Sequence, residues 1–537
     1  MSRSRALPFM TVLGFAVVML MLAAPAESQT PKAGGILNIM LREDLSQGFA
    51  IHESSTISTV FPAAPCLNNL VQFDPFKPIE STDTIVGDLA EKWSWQDNYR
   101  NLVFFLRKNV KWHDGQPFTS KDVKFTFDVL REGPDAPAKL RINPRKDWYA
   151  NVEAVEAPDP YTVVFRLKRP QPSLLSMLAS GYTPVYAAHI PPASYRTGCV
   201  GTGPFKVKEW RKGEYLDYVK NPDYFVKGRP YLDGLHYVVI VERGTRTAAL
   251  QAGQLDVAFP GETTKAAAEQ LKKAVPQLVV TPVATAVTDN IIMNTKKPPF
   301  DKTKVRLAVS YAIDRRGLIQ AVHQGAGVAG AAMAPRPYGV WGMAEKDLLA
   351  LPGYGKPADM KDRARKLLAE AGITPQQPLR VEMVTRAIAV YVDMASFVIN
   401  ELKQVGIEAT LKQIETAQWH AMATRGDFQM GANLTGLGVD DPDANLYENF
   451  ACGSPRNYSA YCDEQVTKMI EQQSQELDTK KRLALVIAIQ KKLEEDAARP
   501  VLDHRIDYFT VWPHVKNLVP HHNIYNFGRM QEVWSDK

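Results

Sequence analysis

Three aspartates fall within four residues in TGLGVDDPDANLYENF, Thr435–Phe450: Asp440, Asp441 and Asp443. Carboxylates this close can chelate a cation, share a proton as acid and base, hold a ligand's ammonium, or cap a turn. Asp441, Asp443 and Asn445 match the D-x-D-x-N opening of an EF-hand loop. The sixth position of that loop needs Gly for a sharp turn and the twelfth a bidentate Glu. Here they are Leu446 and Cys452, so calcium is excluded. Asp440 and Asp441 stay open as the acid/base pair of a secreted hydrolase. Against that, Asp441 precedes Pro442, and Asp before Pro starts turns by bonding its own backbone. On this second reading Asp441-Pro442-Asp443 makes a turn, and Asp443 caps a short helix, ANLYENF.

Other chemistry is largely excluded. No P-loop, H-E-x-x-H or G-x-S-x-G occurs, which removes the usual signatures of an ATPase, a zinc protease and a serine esterase. The histidines are scattered apart from His521-His522. Adjacent side chains rarely converge on one ion, so this pair is expected at the surface and no metal or cofactor is expected. The net charge of +6 includes no run of five basic residues, which argues against a nucleic-acid partner.

The N-terminus sets the compartment. Arg3 and Arg5 precede an apolar run, Leu7–Ala24, and then Ala24-Pro25-Ala26. This is the pattern of a secretory signal peptide over residues 1–26, cut after Ala26 or Ser28. The competing reading is a membrane anchor, since the run is near the lower length for a span. No cysteine follows the run as a lipidation site, and no later run of 18 apolar residues exists. A soluble periplasmic protein without a transmembrane helix is therefore expected. Cysteines then meet an oxidising environment. The four, Cys66, Cys199, Cys452 and Cys462, show no C-x-x-C spacing and allow three pairings. Cys452 and Cys462 flank the polar loop GSPRNYSAY, which favours a local disulfide. Cys66 with Cys199 follows by elimination.

At 537 residues the chain is too long for one core. Its first half is rich in strand patterns: Gly34–Asp44, Leu102–Val110, Tyr161–Leu167, and a hairpin turning at Lys212-Gly213. Between them TSKDVKFTFDVLRE reads as a helix capped by Thr119 or Ser120. The second half alternates. NIIMNT is a short strand, and Asp301–Val322 is one periodic helix. LRVEMVTR and IEATLKQI are strands, each followed by a helix. Asp478–Ala497 is a long amphipathic helix, and Val501–Trp512 returns to strand. These patterns argue for an α/β chain.

Eight segments, in order, resemble one family. They are GGILNI, LNNLVQFDP (67–75), GDLAEKWSW (87–95), KNVKWHDGQPFTSKDVKFTFDVL (108–130), GTGPFKVKEW (201–210), NPDYF (221–225), NTKKPPFDKTKVRLAVSYAIDR (294–315) and ELKQVGIEATL (401–411). Together they are similar to the extracellular solute-binding family 5, the receptors of ABC importers for oligopeptides, dipeptides and nickel. The resemblance implies a two-lobed α/β periplasmic-binding-protein fold of the type II, Venus-flytrap kind. Lobe one would hold residues 32–287 plus 511–537, with a β-rich subdomain inserted at about 67–180, and lobe two residues 288–510. A peptide-like or other organic solute would be buried between closing lobes and delivered to an ABC-transporter permease. ATP hydrolysis would belong to separate subunits, which agrees with the missing P-loop. The receptor would be a monomer and not an enzyme. A non-transport binding or chaperone module on the same fold is the alternative.

The resemblance also places site residues. Dipeptide-binding relatives carry an amine-binding aspartate three residues before the Asp-Pro-Asp turn. That position is Gly438 here, and the aromatic upstream of it becomes Thr435. A ligand that is not a zwitterionic peptide read through its amine is therefore expected. Arg386 matches the arginine that pairs with a ligand carboxylate. Trp419 could wall the cleft, His52 and Glu53 fall where relatives place cleft residues, and Asp440 is the acid to test if the loop touches ligand.

Overall fold

The computed structural model describes residues 30–537, and the signal peptide expected over 1–26 lies outside them. Lobe one is built on a four-stranded sheet. Ile36–Leu41 runs parallel to Gly234–Val239, which continues through Tyr215–Lys220 to Phe205–Arg211. The last two strands are the hairpin expected at Lys212-Gly213. A second four-stranded antiparallel sheet orders Ala90–Gln96, Asn101–Leu106, Thr162–Leu167 and Val152–Asp159. Helix Ser120–Leu130 packs on it. Thr119 is its N-cap, and the Asp122 side chain bonds back to the Thr119 N–H, a reciprocal cap that fixes where the helix starts.

Lobe two is a six-stranded mixed sheet. Its order is Gly327–Val328, Val501–Val511, Val279–Met293, Met430–Gly436, Leu379–Arg386, Ile407–Ile414. Ala389–Lys403, Thr303–Ala312 and Pro357–Glu370 contribute to a closed apolar core on the sheet that includes Ile291, Met293, Val309, Met383, Met394 and Val398. Two expected elements differ. NIIMNT is the end of a fifteen-residue strand, Val279–Met293. Its first part escapes the pattern because Pro282 lies in it. Only Val501–Val511 pairs with that part, so the missing N–H costs no ladder bond on the open side. The periodic segment Asp301–Val322 is two helices, Thr303–Ala312 and Arg315–Ala321. Asp314 breaks it by taking the Gly317 N–H as an N-cap.

Strands Val279–Met293 and Val501–Val511 pair antiparallel from Val279↔Val511 to Asn290↔Val501. Val257 bridges Ile39 of the first sheet to Val511, so this ribbon ties the two bodies together. After Val511 the chain returns to lobe one, where Ile524, Tyr525, Phe527 and Met530 join the core around Phe61. No helix among the described residues is long and apolar enough to cross a membrane.

Cys66 bonds Cys199 across 133 residues, and Cys452 bonds Cys462 across 10. Chain-entropy arithmetic gives the long loop about 5 kcal/mol and the short one about 3 kcal/mol. Paired Cys→Ser variants, compared by denaturant midpoint, should rank in that order, with the Cys66/Cys199 pair losing more.

Candidate functional site

A cleft of about 630 Å³, counted with the solvent space at its mouth, lies between the lobes. Lobe one supplies Arg42, Thr56, Gly261 and Tyr525. Lobe two supplies Arg386, Tyr391, His420, Asn433, Arg456 and Tyr458, and the crossing strands add Thr285, Arg505 and Asp507. Ser55, Thr56, His420, Arg456 and Tyr458 also line an adjoining opening that reaches Gln47 and Glu53. Four arginines therefore face the cleft against one acid, Asp507, among the described lining residues.

Arg386 ends strand Leu379–Arg386 and is buried. Its Nη1 donates to Tyr391 Oη at 2.6 Å, its Nε to Thr416 Oγ1 at 3.1 Å, and its Nη2 to Glu43 Oε1 at 2.7 Å. Glu43 follows the first strand of lobe one, so this is an ion pair across the lobes. Thr416 and Ser58 also donate to its carboxylate. Burial pushes the Glu43 carboxyl up, but Arg386, Arg42 and the two hydroxyls outweigh it and leave it below its ordinary value. Arg42 is shared between Glu43 and Glu262, and Arg456 is paired with Glu448. Arg505 lies no nearer a carboxylate than 3.9 Å, at Asp289. Asp507 accepts the Gly261 N–H at 2.8 Å, and burial raises it to about 6.

The structure separates the other expected residues from this cleft. Trp419 is fully buried among Ile292, Val384 and Phe428, and stands edge-on behind Tyr458 at 5.6 Å. It backs the wall rather than forming it. Thr435 shares a strand face with the cleft-lining Asn433 but does not itself line the cleft, and its hydroxyl accepts from Asn290 and Asn433 at 3.0 and 3.2 Å. His52 is buried on the Tyr186 ring with Nε2 2.8 Å from Pro184 O. Burial first, then Arg145, hold its pKa down at about 3. Glu53 receives both Arg196 nitrogens, at 2.8 and 2.6 Å, at the adjoining opening. His521 and His522, expected at the surface, are buried and bonded to backbone.

The aspartate loop answers its opening question in the same way. Asp441, not Asp443, is the N-cap of helix Pro442–Phe450, accepting the Asp443 N–H at 2.9 Å. Its carboxylate takes a two-pronged pair from Arg482, at 3.0 and 2.6 Å. Asp443 is fully buried. From lobe one it accepts Gln171 Nε2 at 3.0 Å and Ser173 Oγ at 2.5 Å, and from lobe two Ser474 Oγ at 2.7 Å and Gln473. Gly438 has no room for an acid, since a Cβ there would lie 2.5 Å from the Trp148 ring. Asp440 lies away from Arg386, with Glu80, Asp441 and Arg482 on a separate opening of about 1130 Å³. Burial, then Glu80 and Asp441, push its carboxyl well up. Glu80 accepts the Asp440 N–H, Asn523 and Asn526, yet burial still raises it to about 7. Asp440 and Asp441, the expected acid/base pair, thus stand on that opening and not in the arginine-lined cleft.

Glu43, Arg505 and Asp507 carry no motif in the sequence that marks them as cleft residues. A signal for the last two existed: alternate residues of a strand share a face, so Arg505 and Asp507 had to point together.

Two lobes joined by a two-strand ribbon, with a cleft walled by both, define a hinged binding protein. The family model for bacterial extracellular solute-binding proteins, family 5, matches residues 84–457, and the chain belongs to that family. A probable di/tripeptide-binding protein 5 of Pseudomonas aeruginosa is 27% identical over 515 residues, 90% of this chain and 92% of the relative. The dipeptide-binding protein of Escherichia coli is 26% identical over 548 residues, 95% and 96% of the two chains. An ABC transporter-associated periplasmic binding protein of Helicobacter pylori, solved with the peptide STSA, superposes with a TM-score of 0.81 at 23% identity. It covers 94% of this chain and 99% of its own.

Two outcomes follow from the loop. Asp443→Asn turns an acceptor toward four donors with an amide and should cost about 2–4 kcal/mol by denaturant unfolding. Glu80 titrates near 4.5 when unfolded and about 7 when folded, so the fold holds its proton more tightly. Its contribution is complete below about pH 4.5 and is lost as pH rises through about 7, up to about 3 kcal/mol. Unfolding free energies measured between about pH 5 and pH 7.5 should fall in the wild type and fall less steeply in Glu80→Gln.

Proposed function

We propose that this protein is a periplasmic receptor that closes on a peptide-like, carboxylate-bearing solute and presents it to an ABC-transporter permease. In this reading residues 32–287 plus 511–537 form one jaw, with its β-rich insertion at about 67–180, and 288–510 form the other. The crossing strands are the hinge, and one chain supplies both walls, so a monomer suffices. The protein binds and releases without chemistry.

The carrying observation is Arg386, a buried guanidinium of lobe two that already holds a carboxylate from lobe one. An arginine fork suits a carboxylate in two-pronged geometry. Glu43 fills that role here, and a ligand carboxylate arriving at the cleft competes with it or takes up Arg505. A solute that touches both walls favours the closed form by its differential affinity for it, which is what lets a permease distinguish loaded from empty receptor. The similarity to dipeptide- and di/tripeptide-binding proteins supports a peptide-like solute. The blocked Gly438 supports recognition without an aspartate at the relatives' amine-binding position.

The test is mass spectrometry of whatever copurifies, followed by calorimetry with di- and tripeptides and their C-terminal amides. Saturable one-to-one binding without turnover is expected, and Arg386→Ala should weaken free acids about 10- to 100-fold more than amides. Hydrolysis of the bound compound, or amides bound as well as acids, would overturn the reading.

A further inference from the structure

Behind the cleft, the two crossing strands place Asp289 directly opposite Asp503. His323, just past helix Arg315–Ala321, completes a group of three. Its Nε2 is 2.8 Å from Asp289 Oδ2 and 3.5 Å from Asp503 Oδ2, and one ligand atom from each residue lies within 4.8 Å of the others. Both aspartates are 0% exposed and His323 only 7%.

The group is short of donors. Asp503 Oδ1, Asp503 Oδ2 and Asp289 Oδ1 are buried without a hydrogen-bond partner. Buried acceptors are almost always bonded, and an uncompensated buried carboxylate is among the costliest arrangements a fold can carry. Arg505 Nε approaches only to 3.9 Å of Asp289 Oδ1, too far for a hydrogen bond. A Cβ on Gly327 would sit 2.4 Å from Asp503 Oδ2, so that strand brings only backbone against the carboxylate there.

We propose that Asp289, His323 and Asp503 bind a divalent transition-metal ion, with Zn²⁺ the best match. One imidazole nitrogen and two carboxylates are the donor mix such ions take, at about 2.0–2.2 Å. Ligand atoms 2.8 and 3.5 Å apart can both reach one ion at those lengths. The ion's double charge balances the two aspartates and gives Asp503 Oδ2 a partner. It would also staple the two crossing strands to the segment after Arg315–Ala321. The ligands lie 34 and 180 residues apart in sequence, which is why no spacing motif announces them. This site is separate from solute recognition and does not depend on it.

The untagged full chain, stripped with chelator and dialysed, is titrated with Zn²⁺ alone. Metal content is measured by mass spectrometry, affinity by calorimetry, and melting temperature is followed throughout. One tightly held ion per chain is expected, with a melting temperature lowered by chelator and restored by Zn²⁺. His323→Ala and Asp503→Asn should each weaken uptake at least 100-fold while the circular dichroism of the native protein is kept. Asp503→Asn is nearly the same shape and removes one of the buried charges, so it should remain folded in chelator and be indifferent to Zn²⁺. No stoichiometric uptake by the wild type would overturn the proposal and leave a shared-proton Asp–His–Asp cluster. Undiminished uptake by Asp503→Asn would overturn it equally, since the ion then sits elsewhere.

Discussion

The carboxylate of Asp443 has no solvent and takes its donors from both lobes, Gln171 and Ser173 on one side and Gln473 and Ser474 on the other. A buried charge of this kind stabilises only when every donor is in place, because a half-satisfied one is worse than none. It therefore fixes a relative position of the lobes rather than merely favouring contact. With that position set, Val439 and Ala444 enter the apolar core of lobe one, and the Trp148 indole reaches the Ala444 carbonyl at 3.1 Å. The same docking presses Trp148 against Gly438 and brings Glu80 to the Asp440 N–H. A loop that looks catalytic by composition is the seam along which the lobes meet.

The lobes thus have two kinds of connection. The ribbon of Val279–Met293 with Val501–Val511 is covalent and backbone-bonded, so it persists in any arrangement. The seam and the Glu43–Arg386 pair are side-chain contacts that separation would break. A solute in the cleft adds to the second kind alone. On the proposed function, the solute's leverage is the difference between what it offers Arg386 and Arg505 and what Glu43 already supplies. Pairing Arg386 internally lowers the cost of burying its guanidinium, and on the proposed function it also raises the standard a ligand carboxylate must meet.

Elements with unbroken local patterns were legible in the sequence. Leu379–Arg386 and Ile407–Ile414 follow the expected bounds, and the Thr119 cap marks its helix. Misreadings fell where a local side chain or a distant strand overrode the pattern. Asp314 split an otherwise periodic helix, and Val501–Val511 drew a proline-bearing segment into a long strand. Among site residues, Arg386 reaches the cleft because it ends a strand whose neighbours are fixed. Trp419 and His52 have types that suit a cleft, but their positions were decided by packing: an indole among Ile292, Val384 and Phe428, an imidazole on Tyr186. Glu43 could not be singled out, since its importance lies in a partner 343 residues away.

Strand Val501–Val511 shows how one periodicity serves two purposes. Asp503, Arg505 and Asp507 alternate onto one face, while His504 turns to the other and meets the Ala331 carbonyl at 2.9 Å. Yet Asp503 closes a buried cluster with Asp289 and His323, whereas Arg505 and Asp507 line the cleft. The register with Val279–Met293 shifts between Ala284 and Thr288, beside Ile506 and His504. Such an irregularity bends a strand and increases its twist. One face is thereby carried from the interior of lobe two into the space between the lobes within a few residues. The arginine at the bend stands between the two environments, 3.9 Å from Asp289 and lining the cleft, so a single strand face borders both the buried cluster and the space between the lobes.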